Sequence, residues 1–352
     1  MENEIKLSPA QRAKLFMQAT RQNIQKVAEK TGTESTKTSF EIPNARYLSK
    51  LIVEVDCTLT ATHASETVYV PHEDSPYRFI DRIKFDLNNG FIPIDLSGEA
   101  LYIYNIMNKG KVNMTNLAGG RNAVNQPLVA SSGGTANVTK IKVELPLTLN
   151  DRDPIGLINL QNKEILANLD VTIGAKADLA PASGGFTFAA TVIKIKVSAE
   201  TFSIPRAVEA RPALNVIKLL NEKTETMIAG ENTIKLPVGL SYRRIGFICY
   251  DATPSRQVDS DITSTIDLMI NQNDYPYRID PSLLGMINAG HYGGGLPTGV
   301  YVLDFASMQG LRNLSGGRDY LDTENMTELW LRFTAGTAGT IKVFYEQMSQ
   351  II

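Results

Sequence analysis

Tyr77–Met107 reads YRFIDRIKFDLNNGFIPIDLSGEALYIYNIM, and Thr265–Asn288 reads TIDLMINQNDYPYRIDPSLLGMIN. In both, an alternating apolar strand runs into asparagines. An aromatic residue, a proline and an Ile-Asp pair follow: Phe91, Pro93 and Ile94-Asp95, then Tyr275, Pro276 and Ile279-Asp280. Each copy predicts a strand, a proline-containing corner and a short apolar helix. Period-2 alternation that gives way to a capped apolar run is the grammar of a β-unit carrying a loop helix.

Working outward, the duplication extends over most of the chain. LSYRRIGFICYDAT (240–253) lies over LSKLIVEVDCTLTAT (48–62), so that both Leu-Ser pairs coincide and Cys57 meets Cys249. In the first copy Leu51, Val53, Val55, Cys57 and Leu59 share one face of a strand. YVLDFASMQGLRNLSGG (301–317) corresponds to the strand and short helix that begin at VELPLTLN. LWLRFTAG (329–336) corresponds to LDVTIGA, and TIKVFYEQM (340–348) to VIKIKVSAETF. A shared order of weak matches marks an internal repeat. Short strands without βα alternation exclude a doubly wound parallel sheet and point to an all-β chain of two tandem sandwiches. The expected division is 1–39 for an N-terminal helix and polar linker, 40–205 for the first β-unit, 206–230 for a linker and 231–352 for the second.

The long helix is expected over 9–30. Ser8 suits the N-cap and Pro9 the first helical position. Ala10, Ala13, Met17, Thr20, Ile24 and Val27 draw a stripe at helical spacing. Five basic side chains (Arg12, Lys14, Arg21, Lys26 and Lys30) face the single acidic Glu29. Arg12, Lys14, Met17, Arg21, Ile24, Lys26 and Lys30 are therefore expected to contact a neighbouring subunit or an anionic membrane surface. Asn113–Asn137 has the Gly/Asn/Ser content of a long surface loop.

The 352 residues are 43% hydrophobic and 20% charged, enough for buried cores and against disorder. The formal net charge of −2 offers no basic face for nucleic acid. No apolar run reaches the roughly 18 residues of a spanning helix. MENEIKLSPA lacks the regions of a signal peptide, and two cysteines are no disulfide framework, so folding in a reducing cytoplasm is expected. Cys57 and Cys249 read as buried core cysteines rather than nucleophiles.

No constellation announces catalysis, and no cofactor is expected. His63, His72 and His291 form no metal-ligand spacing, which removes the ligand set a metal-dependent double-barrel enzyme would need. HYGGGLPTG (291–299) and LSGGR (314–318) lack the ending of a phosphate loop. DRD (151–153) and DSD (259–261) do not continue as calcium loops.

With its basic N-terminal helix, tandem β-units, short helices and Gly-rich loop, the chain resembles the double jelly-roll major capsid proteins of tectivirus-type bacteriophages. These are tailless, internal-membrane phages, and the similarity is to the branch infecting Bacillus-like hosts. The resemblance implies two tandem eight-stranded jelly rolls. It also implies a homotrimeric, pseudo-hexagonal capsomer that tiles an icosahedral shell around a membrane enclosing the genome. The protein would be made in the host cytoplasm and reside in the virion. The N-terminal helix would touch the viral internal membrane lipids, and loops would meet minor capsid, vertex or cement proteins, with no direct nucleic acid contact. The alternative reading is a virion spike or a receptor- or glycan-binding β-sandwich.

Overall fold

In the computed structural model, the described residues are 8–69, 76–88, 90–110, 127–149, 155–161, 165–180, 184–212, 214–253, 255–306 and 320–350. Most of the Gly-rich loop expected at 113–137, the DRDP segment at 151–154, His72 and LSGGR at 314–318 lie outside them.

The first repeat carries α1 (Pro9–Ala19), β1 (Gln22–Thr31), β2 (Lys37–Glu41), β3 (Tyr47–Thr62), β4 (Thr67–Tyr69), β5 (Ile80–Leu87), β6 (Phe91–Leu96) and α2 (Gly98–Lys109). It continues with β7 (Leu128–Ala130), β8 (Thr135–Pro146), β9 (Ile158–Asn159), β10 (Ala167–Ile173) and β11 (Thr187–Phe202). The second repeat carries β12 (Val216–Met227), β13 (Gly230–Leu236), β14 (Ser241–Asp251), β15 (Ile266–Ile270) and β16 (Asp274–Ile279). After α3 (Pro281–Tyr292) come β17 (Val300–Asp304), β18 (Leu321–Asp322), β19 (Leu329–Ala335) and β20 (Gly339–Gln350).

Strand order settles the architecture. In the first repeat one sheet runs β1-β11-β3-β8 and the other β6-β5-β10-β2. In the second, the corresponding orders are β12-β20-β14-β17 and β16-β15-β19-β13. Replacing each strand by its counterpart turns one repeat into the other: β1 by β12, β2 by β13, β3 by β14, β5 by β15, β6 by β16, β8 by β17, β10 by β19 and β11 by β20. Two four-stranded antiparallel sheets linked in this order form a jelly roll.

The alternation read from the sequence fills each interior. Along β3 the residues Leu51, Val53, Val55, Cys57 and Leu59 are all buried. In the second repeat Ile245, Phe247 and Cys249 of β14 pack in one cluster with Leu268, Leu303, Leu331, Phe333 and Val343. Both cysteines are free and buried.

Both copies of the opening motif build a hairpin followed by a helix, so the expected corner is itself a strand. Leu87 faces Phe91 and Phe85 faces Ile94, leaving Ile92 and Pro93 opposite Asp86 alone. Ile270 faces Asp274 and Leu268 faces Tyr277, leaving Tyr275 and Pro276 opposite Met269. Each proline thus sits in a bulge, where a missing N–H costs no regular ladder bond. The turns need left-handed backbone, supplied by Asn88 in the first copy and by Asn271 and Gln272 in the second. Gly98 opens α2 because a Cβ there would lie 2.5 Å from the Tyr77 carbonyl oxygen.

Three segments depart from the sequence expectation. The helix expected over 9–30 ends at Ala19, and Gln22–Thr31 is β1, paired antiparallel with β11. Lys37–Glu41, within and just beyond the polar linker, forms β2 against β10. The linker expected at 206–230 contains β12. In the first and third cases pairing with a long neighbouring strand overrides a weak local preference. The chain clusters into two compact units, one of Met1–Leu101, Gly120–Lys218 and Gln350–Ile352 and one of Tyr102–Gly119 and Leu219–Ser349.

Candidate assembly surfaces

The N-terminal arm carries the residues singled out from the sequence, but on two different elements. Ser8 and Gln11 cap α1 reciprocally: Gln11 N–H donates to Ser8 Oγ at 3.3 Å, and Ser8 N–H donates to Gln11 Oε1 at 2.9 Å. The Thr20 hydroxyl then donates back to the Phe16 carbonyl at 2.8 Å, and Arg21 N–H donates to Ser203 Oγ at 2.8 Å. These bonds end the helix and hand the chain to β1.

Phe16, absent from the stripe drawn from the sequence, anchors α1. Only 1% exposed, it packs against Tyr47, Phe202 and Leu157, with ring centroids 6.2 Å from Tyr47 and 5.5 Å from Phe202. Met17 is 48% exposed, and Leu15 beside it is exposed as well. Arg12, Lys14 and Met17 therefore ride on α1, Arg21 lies at the joint, and Ile24, Lys26 and Lys30 are on β1. Ile24 is exposed; Lys26 pairs with Glu29 at 2.6 Å. Lys30 donates to the Ser39 carbonyl and lies 5.2 Å from the centre of the Phe40 ring.

Each roll also holds a cation between two carboxylates on the same three strands. In the first, Lys50 of β3 lies 3.4 Å from Glu144 of β8 and 3.6 Å from Glu200 of β11. In the second, Arg244 of β14 lies 3.4 Å from Asp304 of β17 and 3.4 Å from Glu346 of β20. All six are nearly buried. Burial works against the Arg244 charge, but Asp304 and Glu346 outweigh it and hold the guanidinium protonated. The Tyr292 hydroxyl donates to Asp304 Oδ2 at 2.6 Å, and Arg244 donates to Asn108 Oδ1 at 2.7 Å. These clusters are fully engaged ion pairs with no open position for a reacting group. Strand alternation in the sequence marks such charges as solvent-facing, so they were not foreseen.

The remaining candidates for chemistry stay apart. His63 lies tilted against Phe186 with centroids 4.6 Å apart, whereas His291 is on α3. Asp259 of the DSD segment accepts from the Tyr301 hydroxyl at 2.7 Å, and Asp261 accepts from Val258 N–H at 2.9 Å. Among the described residues no three His, Cys, Asp or Glu side chains converge as a metal site. Burial pushes the Cys57 thiol up to about 12, with Glu34 adding to the shift, and burial alone raises Cys249 further. A cleft of about 460 Å³ is lined by Asp259, Asp280 and hydroxyl side chains, with no histidine, cysteine or basic residue among them.

No family profile and no curated protein matches the sequence. Solved structures do. The major capsid protein of Sulfolobus Turreted Icosahedral Virus superposes with a TM-score of 0.69 at 13% identity, covering 93% of this chain and 96% of that one. The fold is the double jelly roll. The PBCV-1 virus capsid protein matches at a TM-score of 0.66 and 12% identity, over 95% of both chains. The major capsid protein of bacteriophage PM2 matches at 0.57 and 11%, over 94% and 98%. These double jelly rolls are capsid structural proteins rather than enzymes, and each match runs the length of both chains.

Proposed function

We propose that this chain is a viral major capsid protein, a non-enzymatic shell component residing in the virion. The observation that carries the reading is the duplication itself: two jelly rolls of identical strand order, matched end to end by capsid proteins of this fold. A shell subunit needs large self-complementary surfaces and no active site. Three copies of two similar rolls give six similar lobes, so a homotrimer would present a pseudo-hexagonal outline suited to an icosahedral lattice. Leu283, Met286 and Ile287 supply exposed apolar surface on α3 of the second roll.

We place the protein in a tailless, internal-membrane phage of the tectivirus type, infecting a Bacillus-like host. On this reading α1 touches the viral membrane. Arg12 and Lys14 would approach anionic headgroups while Leu15 and Met17 rest at the interface, with Phe16 holding the helix to the body of the protein. Arg21 at the joint and Ile24, Lys26 and Lys30 of β1 would contribute as neighbour-contacting residues. Minor capsid, vertex or cement proteins would meet the loops.

The native mass of the purified protein tests the proposal. Light scattering should give three times 38.6 kDa. A clean monomer at high concentration would overturn the capsomer and favour a receptor- or glycan-binding module.

A further inference from the structure

Trp330, the only tryptophan in the chain, stands on the outward face of a strand. Its neighbours Leu329, Leu331 and Phe333 fill the core of the second roll, so Trp330 and Arg332 of β19 face away from it. Strand register extends each of them into a row. Trp330 pairs with Lys235 of β13 and Met269 of β15, and Tyr275 of β16 lies opposite Met269 in the bulge. Arg332 pairs with Asp267, which in turn pairs with Arg278.

The rows are ordered by their own contacts. Asp267 Oδ2 lies 3.1 Å from Arg332 and 3.4 Å from Arg278, whose guanidinium sits 4.5 Å from the centre of the Tyr275 ring. The Trp330 indole N–H donates to Glu328 Oε2 at 3.2 Å. Both rings are half-buried, and the Arg278 side chain is 57% exposed. The 460 Å³ cleft adjoins the guanidinium row: Thr265, in its lining, donates to Asp267 Oδ1 at 2.8 Å. Asp280, also in the lining, is the N-cap residue of α3, yet its side chain makes no capping bond. The hydroxyl residues Ser260, Thr263 and Ser282 of the lining are exposed.

The first roll provides an internal comparison. Where the second has Trp330, Met269 and Arg332, the first has Asn168, Asp86 and Asp170. Its counterpart of the cleft is filled. The 3-10 turn before β5 buries Tyr77 and Phe79, and packs so tightly on the start of α2 that a Cβ at Gly98 would meet the Tyr77 carbonyl. The equivalent turn before β15 is Asp259–Asp261, and the cleft lies between it and the start of α3.

We infer that this face of the second roll binds a neutral oligosaccharide, with one sugar in the cleft and further units along Arg278, Tyr275 and Trp330. A pyranose carries a rim of hydroxyls, which pair with carboxylates, hydroxyls and guanidinium donors. It also carries apolar C–H faces, which lie against aromatic rings. The cleft has the volume of a small-ligand site. Its two carboxylates, with no basic residue in the lining, disfavour an anionic sugar. Side chains already fixed by mutual contacts lose little freedom when a ligand arrives.

The inference goes beyond the shell reading and does not rest on it. The test is titration of the full-length wild-type protein with cellohexaose, maltohexaose and chitohexaose, read in the emission of Trp330, with thermal melts as a folding control. The expected result is saturable binding of at least one of the three with a Kd below about 1 mM. Tyr275→Ala and Asp280→Ala should fold and weaken that binding about 10-fold each. Saturation by none of the three, or folded variants that bind like wild type, would overturn the site and leave the shell reading standing. A calcium-induced change in emission that Asp280→Ala abolishes, with no response to sugar, would overturn it in favour of a cation site. If a variant melts early, acrylamide quenching of Trp330 in the wild type decides. Shielding by the bound sugar supports the stacking face, and unshielded emission overturns it.

Discussion

Arg244 sits between Asp304 and Glu346 at 3.4 Å from each and also reaches Asn108, so removing it leaves two carboxylates in a site that excludes water. Uncompensated buried charge is the costly outcome. Arg244→Leu should therefore destabilise the protein by about 3–5 kcal/mol, read as a lower urea midpoint. A loss below about 1 kcal/mol would mean that the carboxylates find water or another partner. Single residues differed in how far the sequence exposed them. Cys57 and Cys249 were legible as buried because each lies among alternating apolar neighbours. Lys50, Glu144 and Arg244 were not, because alternation assigns them to the outward face and says nothing of what covers it.

Among elements, β1 explains both the misreading of the N-terminal arm and its consequence. A register shift between Lys26 and Ala28 places a bulge at Val27. The bulge interrupts the strand's period of two, so the segment shows no clean alternation, and Ile24 and Val27 fall at a helical spacing in the sequence alone. The proline bulges at Pro93 and Pro276 disguise β6 and β16 in a similar way, since proline argues against a strand unless a bulge receives it. Helix starts were the more legible signals: Ser8 caps α1, and Asp280 with Pro281 opens α3. Truncation separates the two parts of the arm. Removing residues 1–19 deletes α1 and the Phe16 anchor, and should lower the melting temperature by several degrees, at about 2–4 °C per kcal/mol for a chain of this size. Removing residues 1–31 also strips a strand with nine paired positions against β11 and should leave the first roll unfolded or insoluble. A soluble, cooperatively melting product lacking residues 1–31 would show that β1 is dispensable.

For the molecule as a whole, burial of phenols and thiols sets a limit on the alkaline side. Tyr47, Tyr104, Tyr242, Tyr277, Tyr292, Tyr301 and Tyr345 are all raised above 10.0, in each case first by burial. Cys57 rises from 9.0 to about 12 for the same leading reason. A group raised in the folded state binds its proton more tightly there, so its contribution is complete below the unfolded value and is lost as pH climbs through the folded one. Thermal midpoints should hold up to about pH 9 and then fall progressively through pH 11 and 12. Midpoints unchanged to pH 12 would mean that these rings and thiols meet water in solution. At this scale the sequence showed the duplication clearly, because matching strands kept their order. It did not show that each roll begins one strand earlier, at β1 and β12, because neither strand carries a clean alternating pattern.

The bulge at Pro276 lies on the outermost strand of the sheet β13-β19-β15-β16. An open strand edge is a template for indefinite polymerisation, and a protein synthesised in quantity to associate with itself is the most exposed to that hazard. Proline offers no N–H, and the bulge breaks the repeat that an incoming strand would have to match. In the capsid proposed above, copies would thereby be steered to meet through side chains, so that growth would end in a closed container instead of an amyloid-like thread.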